Sequence, residues 1–283
     1  MAYAECRALL KNLFDHVEYS NESGSCKIMT DLMLGKLRAL MFYARALLES
    51  CGLIKSVHRI SSEEQKFAEF AISHSKKIID CGPRLDTELV AIALRYRAEI
   101  TLFEASPVFA RKLSKKIKAM VRSTDIVTVI NMGVSSDSGS LRYYFLNQSF
   151  VKNVPFRTYH FGRNVRVTSL DEYFGTEYKP DFIKSDVEGM DIQVFRGAKE
   201  LLKSTKYFQL EMCSTELSSY EDLFINFDLF LLHSDNHPLW RGQGSPMLTP
   251  METLGWETVF DSMRRGETNI LCGIRKGAPA PQS

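Results

Sequence analysis

From Lys76 onward the chain is written in short apolar runs, each closed by an acid or a glycine and most followed by residues at helical spacing. Ile78-Ile79-Asp80-Cys81-Gly82 is the first such run, and Thr87 to Tyr96 reads as the helix after it. Glu99 to Glu104 is a second strand, and Pro107 opens a helix running through Lys118. Asp125 to Val134 reads as a third strand, Asp181 to Asp186 as a fourth and Tyr207 to Met212 as a fifth, with a helix over Met190 to Leu202 between the last two. Asp228 to Leu232 and Asn269 to Ile274 are later strands. Strands buried on both faces are continuous apolar runs, and their alternation with helices leaves one economical arrangement. That arrangement is an α/β fold with a mostly parallel sheet covered by helices on both faces.

Before this rhythm begins, residues 1–60 have helical spacing, interrupted by Ser20-Asn21-Glu22-Ser23-Gly24-Ser25. They read as a cap or an association region through which a homo-oligomer would form. The expected division is therefore 1–60 helical, 61–275 the α/β domain, and 276–283 a flexible tail carrying Pro279 and Pro281. A net charge of +2 gives no whole-molecule pull toward polyanions. The six cysteines show no CxxC pair and no zinc spacing, and Cys81, Cys213 and Cys272 read as small buried hydrophobes. No signal-peptide stretch opens the chain, and no run approaches the roughly 20 apolar residues of a membrane helix. A cytoplasmic setting is the expectation.

In an open α/β sheet, ligands meet the C-terminal ends of the strands. Those ends carry Asp80 and Gly82, Glu104, Asn131 to Gly133, Asp186 to Gly189, and Glu211. Asp80 and Glu104 lie 104 − 80 = 24 positions apart, close to the ~20-residue spacing at which the second acid of a nucleoside-binding βαβ unit meets the ribose hydroxyls. Gly82 would let backbone approach a ligand. No G-x-G-x-x-G follows, which disfavours a dinucleotide oxidoreductase. In Phe182-Ile183-Lys184-Ser185-Asp186-Val187-Glu188-Gly189 three charges alternate, so a continuing strand would place Lys184, Asp186 and Glu188 on one side. Such groups are costly to bury unpaired and suit a ligand-facing end.

The order of these pieces resembles the FkbM family of methyltransferases. The resemblance rests on Thr168-Ser169-Leu170-Asp171-Glu172-Tyr173, on Phe182 to Gly189, on Phe195-Arg196-Gly197-Ala198, and on Gln209-Leu210-Glu211. Phe103-Glu104-Ala105-Ser106-Pro107, Asn131-Met132-Gly133-Val134-Ser135 with Gly139, and Asn269-Ile270-Leu271 add weaker pieces in the right order. The resemblance implies a Rossmann-like class I fold with a seven-stranded sheet and S-adenosylmethionine as cofactor; residue spacing leads to the expectation of no metal. Asp80, Gly82, Glu104, Ala105, Ser106, Gly133 and Asp186 are then the expected cofactor contacts. Asp186 and Glu188, tuned by Lys184, are expected to take the proton from, or orient, an acceptor hydroxyl. The implied acceptor is a hydroxyl of a sugar, glycan or small natural product. An alternative is RNA 2′-O-methylation through Lys184, Asp186 and Glu211. A third reading is a non-catalytic relative, because Asp86 stands where the family's first loop usually has a second glycine. There Asp86 would either repel the cofactor carboxylate, with Arg84 offsetting it, or cap the next helix.

The acceptor is expected to meet the section between the third and fourth strands, with Tyr143, Tyr144, Phe145, Phe150, Phe156, Tyr159 and Phe161 among arginines and a lysine. His233 and His237 share i, i+4 spacing, but Asn236 and Pro238 place them in a loop rather than in a metal-binding helix.

Overall fold

A computed structural model describes residues 62–121, 126–144, 162–232, 248–265 and 269–281. These fall in one compact unit, His58–Ser283. The helical reading of 1–60, the aromatics from Phe145 to Phe161, and His233 and His237 lie outside the described residues.

Helix α1 (Ser62–Ser73) leads into β1 (Lys77–Cys81), α2 (Glu88–Tyr96), β2 (Glu99–Phe103), α3 (Pro107–Met120) and β3 (Val127–Ile130). Ser106 and Pro107 start α3 as the sequence suggests: the serine hydroxyl accepts from the Phe109 amide, and proline occupies the first turn. After β4 (Gly133–Val134), β5 (Gly139–Tyr144), β6 (Gly162–Thr168) and α4 (Leu170–Phe174) comes β7 (Phe182–Ser185). It is followed by α5 (Asp191–Arg196), α6 (Lys199–Leu202), β8 (Tyr207–Glu211), α7 (Ser218–Phe224) and β9 (Phe227–Leu232). The order closes with β10 (Leu248–Pro250), α8 (Met251–Leu254), α9 (Trp256–Arg264) and β11 (Ile270–Arg275).

The main sheet has the order β10-β9-β11-β8-β7-β1-β2-β3. Strands β3, β2, β1, β7 and β8 are parallel. β11 runs antiparallel between β8 and β9. The expected seven strands become eight because β10 pairs antiparallel with β9 at the edge, where Pro250 is tolerated. Alternate residues then face two apolar layers. Ile78, Leu102, Phe182, Tyr207 and Cys272 pack with α1, α2 and α3. Ile79, Phe103, Ile183, Phe208 and Leu210 pack with α5, α6, α7 and α9.

Two elements differ from the sequence reading. The run expected as a strand from Asp125 to Val134 breaks after Ile130, and Gly133–Val134 leaves for a second sheet of order β4-β6-β5. Asn131 turns the chain there, its side-chain amide donating to the carbonyls of Glu104 (2.8 Å) and Ala105 (3.2 Å). The helix expected over Met190 to Leu202 divides at Gly197-Ala198. At Gly197 a Cβ would overlap the Ser135 carbonyl oxygen, so the close packing there needs glycine. After β11, the Lys276 amide donates to the Asn226 carbonyl (3.1 Å), and the Tyr207 hydroxyl donates to that of Pro279 (3.2 Å). Among the described residues no helix is long and apolar enough to cross a membrane. Cys81 and Cys272 are buried, but Cys213 lies beyond β8 and is exposed, contrary to the buried-strand reading.

Candidate active site

At the first strand ends, β1 and β2 bring Asp80 and Glu104 together, both nearly fully buried. Glu104 accepts from the amides of Arg84 (3.0 Å) and Ser106 (2.7 Å), one on each carboxylate oxygen. Each oxygen keeps a further lone pair. Burial pushes the Glu104 carboxyl up to about 7, against the pull of those two amides and the Arg84 charge. Asp80 is pushed up to about 6, chiefly by burial, with Lys184 opposing and Asp86 and Asp186 adding.

The loop after β1 is shaped by Gly82, whose φ of +86° lies in the left-handed region. A Cβ there would overlap the carbonyl oxygen of Asp186. The close approach that demands glycine is thus to the neighbouring strand end, and Asp186 returns an amide hydrogen bond to Cys81 (2.9 Å). Asp86 caps: its carboxylate accepts from the Glu88 amide at the start of α2 (2.8 Å). Of the two roles open to Asp86 in the sequence, the structure displays the cap. Ala105 lies in the bend after Glu104, and Gly133 is buried in β4, where it pairs with Val167 in the second sheet.

At the β7 end the strand stops at Ser185, so Lys184, Asp186 and Glu188 do not share one strand face. Lys184 is buried at the level of Asp80 on β1 and Gln209 on β8. Asp186 is half-exposed and lies 3.6 Å from the Lys184 ammonium. Glu188 reaches the surface through a left-handed residue, φ +55°. Burial disfavours the Lys184 charge, but Asp186, Asp80, Glu64 and Asp86 outweigh it and hold its pKa above the ordinary lysine value. Glu188 is raised by partial desolvation of its carboxyl and by Asp186, with Arg84 opposing. At the end of β8, Glu211 is pushed up to about 8 by burial, then by Asp186, Asp191 and Glu188, with Lys184 opposing.

Asp191 and Tyr143 complete this group. Asp191 is fully buried and accepts from the Ser185 hydroxyl (2.6 Å) and the Val187 amide (3.2 Å), which braces the turn carrying Glu188. In sequence it is an acid in a first helical turn, and the pattern of strand ends does not single it out. Tyr143 was one of seven aromatics between the third and fourth strands, and the structure buries it. Its phenol is raised first by burial, then by Glu104, with Glu188 adding and Arg84 opposing. The tyrosine therefore lies within electrostatic reach of both the Glu104 and the Glu188 ends of the site.

A cleft of about 420 Å³ is lined by Ser135 through Leu141, Val167, Met190 and Gln193. Among the described residues that line it, Asp137 is the one ionisable group. Another cavity, about 340 Å³, touches Arg196, Lys199, Asp222 and Arg275. It lies where β9 begins and β11 ends, at the opposite end of the sheet from the acids. Among the described residues no cluster of His, Cys, Asp and Glu is arranged to hold a metal.

The motif residues Leu170 and Asp171 act through packing and capping. Leu170 is fully buried, while the Asp171 carboxylate accepts from the amides of Glu200 and Leu201, each at 3.0 Å, at the start of α6.

A sheet of this order, with β11 reversed between β8 and β9 and acids at its C-terminal edge, is the class I S-adenosylmethionine-dependent methyltransferase fold. The chain belongs to the FkbM methyltransferase family: the profile of the Methyltransferase FkbM domain matches residues 80–237, more than half of its length. Solved structures similar to it include the methyltransferase FkbM from Methylobacillus flagellatus KT, 18% identical with a TM-score of 0.43. That match covers 58% of this chain and 41% of that one, so this chain spans less than half the length of that protein. A putative O-methyltransferase from Klebsiella pneumoniae is 11% identical over 95% of this chain and 96% of that one, TM-score 0.42. The O-methyltransferase from Bacillus cereus in complex with SAH is 11% identical over 95% and 97%, TM-score 0.41. No curated protein matches the chain in sequence.

Proposed function

We propose that the chain transfers a methyl group from S-adenosylmethionine to a hydroxyl of a small, neutral acceptor of the sugar, glycan or natural-product kind. The observation that carries this reading is the pair Asp186 and Glu188 at the end of β7, with the Glu188 carboxyl raised by burial and by Asp186, and Asp186 lying 3.6 Å from the buried Lys184. Carboxylates poised in this way suit removal of a hydroxyl proton. The serines that line the cleft suit hydrogen bonding to a neutral, hydroxyl-bearing acceptor.

The residues present fit the cofactor's nucleoside end. Glu104 is a buried carboxylate with one lone pair left on each oxygen, the acceptor set that two ribose hydroxyls require. Gly82, Ala105 and Ser106 would supply backbone around it, with Asp80 and Gly133 nearby. The bound cofactor would supply a sulfonium methyl, already a strong electrophile. What remains for the protein is to hold the acceptor oxygen in line and to receive its proton. In this reading Asp186 or Glu188 receives the proton, and Lys184 stabilises the resulting charge pattern.

Calorimetric titration with S-adenosylmethionine and S-adenosylhomocysteine tests the proposal. Binding by both is expected, with Glu104→Ala weakening it and Asp186→Asn or Glu188→Gln largely sparing it. No heat from either ligand at millimolar concentration overturns the reading.

A further inference from the structure

One buried polar row crosses the sheet on the face covered by α1, and the cofactor site does not account for all of it. Asp80, Lys184 and Gln209 stand side by side on β1, β7 and β8. All three are buried, at 4%, 4% and 2% exposure. The same row continues to Leu102 on β2 and Cys272 on β11, so an apolar side chain would suit the Gln209 position for packing alone. A buried amide is costly unless its groups are bonded.

The amide's orientation follows from its partner. Gln209 Nε2 donates to Glu64 Oε1 on α1 at 3.0 Å. An ionised carboxylate can only accept, so it selects the NH₂ side of the amide. The oxygen, Gln209 Oε1, is left as an acceptor, buried and without a hydrogen-bond partner. Asp80 Oδ1, on the other side of Lys184, is likewise buried and without one. On each flank of Lys184 the neighbouring strand thus carries a buried acceptor that no hydrogen-bond partner occupies, and the ammonium has three donors to offer. Its ion-pair partner Asp186 is farther along, at 3.6 Å and half-exposed.

We propose that Gln209, with its amide oriented by Glu64, is a positioning residue for Lys184, offering the ammonium a seat opposite Asp80 and so setting how firmly it holds Asp186. The charged groups that act on Lys184 are Asp186 at the end of its own strand, Asp80 on β1, Glu64 on α1 and Asp86 in the loop after β1. Glu64 is the member farthest along the chain from the strand ends, and it acts through the amide and through its charge. The functional meaning rests on the proposed role of Asp186; the positioning of Lys184 does not.

The test is NMR of the full chain carrying ¹⁵N-lysine, with Lys184→Met assigning the Nζ signal. In the unsubstituted protein the Lys184 ammonium gives a protected, slowly exchanging resonance. Gln209→Leu is expected to shift that resonance and to speed exchange of its protons about tenfold. Glu64→Gln, which frees the amide to turn over, shifts it in the same sense by less and serves alone if Gln209→Leu does not fold. A resonance with unchanged position and exchange in a folded variant overturns the proposal, even where the urea midpoint falls, because the Glu64–Gln209 bond is then only a structural tie. Titration of the same samples with S-adenosylhomocysteine separates the two readings. Absent binding overturns the function proposed above and leaves the Lys184 result standing.

Discussion

Asp171 belongs to the most recognisable motif in the chain, yet its contacts are those of a helix cap, and this can be tested by removing them. Its two carboxylate oxygens accept from Glu200 and Leu201, each at 3.0 Å, and its own amide donates to the Gly197 carbonyl at 2.8 Å. These bonds fix the Gly197-Ala198 turn between α5 and α6. Hydrogen bonds to a charged group are worth about 1.5–3 kcal/mol each, and loss of a cap typically costs about 1 kcal/mol. The Glu200 amide is near the surface, where water replaces much of what it loses, so Asp171→Ala should cost about 2–3 kcal/mol in all. For a unit of this size each kcal/mol lowers the midpoint by about 2–4 °C, which gives a fall of about 5–10 °C. Asp171→Asn keeps one acceptor and turns an NH₂ toward the second amide, so its loss should be about half as large. Circular dichroism melts at fixed protein concentration, paired with S-adenosylhomocysteine calorimetry on the same samples, provide the readout. Reduced stability with unchanged ligand affinity is expected. Variants that melt with the parent protein but lose ligand would refute the capping argument and place Asp171 in the site.

Gly82→Ala forces both a left-handed alanine and a clash with the Asp186 carbonyl, so the two strand ends must separate. A loss of at least about 2 kcal/mol in urea unfolding is expected, together with weakened S-adenosylhomocysteine binding, and an unperturbed variant would contradict the geometry. Asp80, Asp191, Glu104 and Glu211 all have carboxyls raised by burial, to about 6, 6, 7 and 8. The folded chain therefore holds more protons than the unfolded one between the ordinary carboxyl range near 4 and about pH 8, and stability declines as pH rises through that window. The urea midpoint should be higher at about pH 6 than at pH 8.5, and a rise with pH would count against these buried acids. Ribose hydroxyls donate best to an ionised Glu104, so S-adenosylhomocysteine affinity should weaken as pH falls below about 7. Glu104→Gln should flatten that dependence; a profile unchanged by the substitution would remove Glu104 from the nucleoside end.

The alternation of apolar runs with helical stretches was enough to place the strands of the parallel sheet, because strands covered on both faces must be apolar throughout. The punctuation of those runs also put Asp80, Glu104 and Asp186 at strand ends, where a doubly covered sheet opens to ligands. What periodicity could not resolve was where chain direction changes within an apolar run. The departure at Asn131 depends on the carbonyls of Glu104 and Ala105, and the break at Gly197 on the Ser135 carbonyl, both far from the local window. Alternation likewise suggested one face for Lys184, Asp186 and Glu188, but the strand ends at Ser185 and Asp191 braces the turn beyond it. The pairing of β7 with both β1 and β8 is non-local, and only that register sets Lys184 between Asp80 and Gln209. Residue types at strand ends were therefore legible from the sequence alone. Their burial, their protonation and the partners they face were decided by tertiary structure, because each depends on desolvation and on charges supplied by other strands and helices.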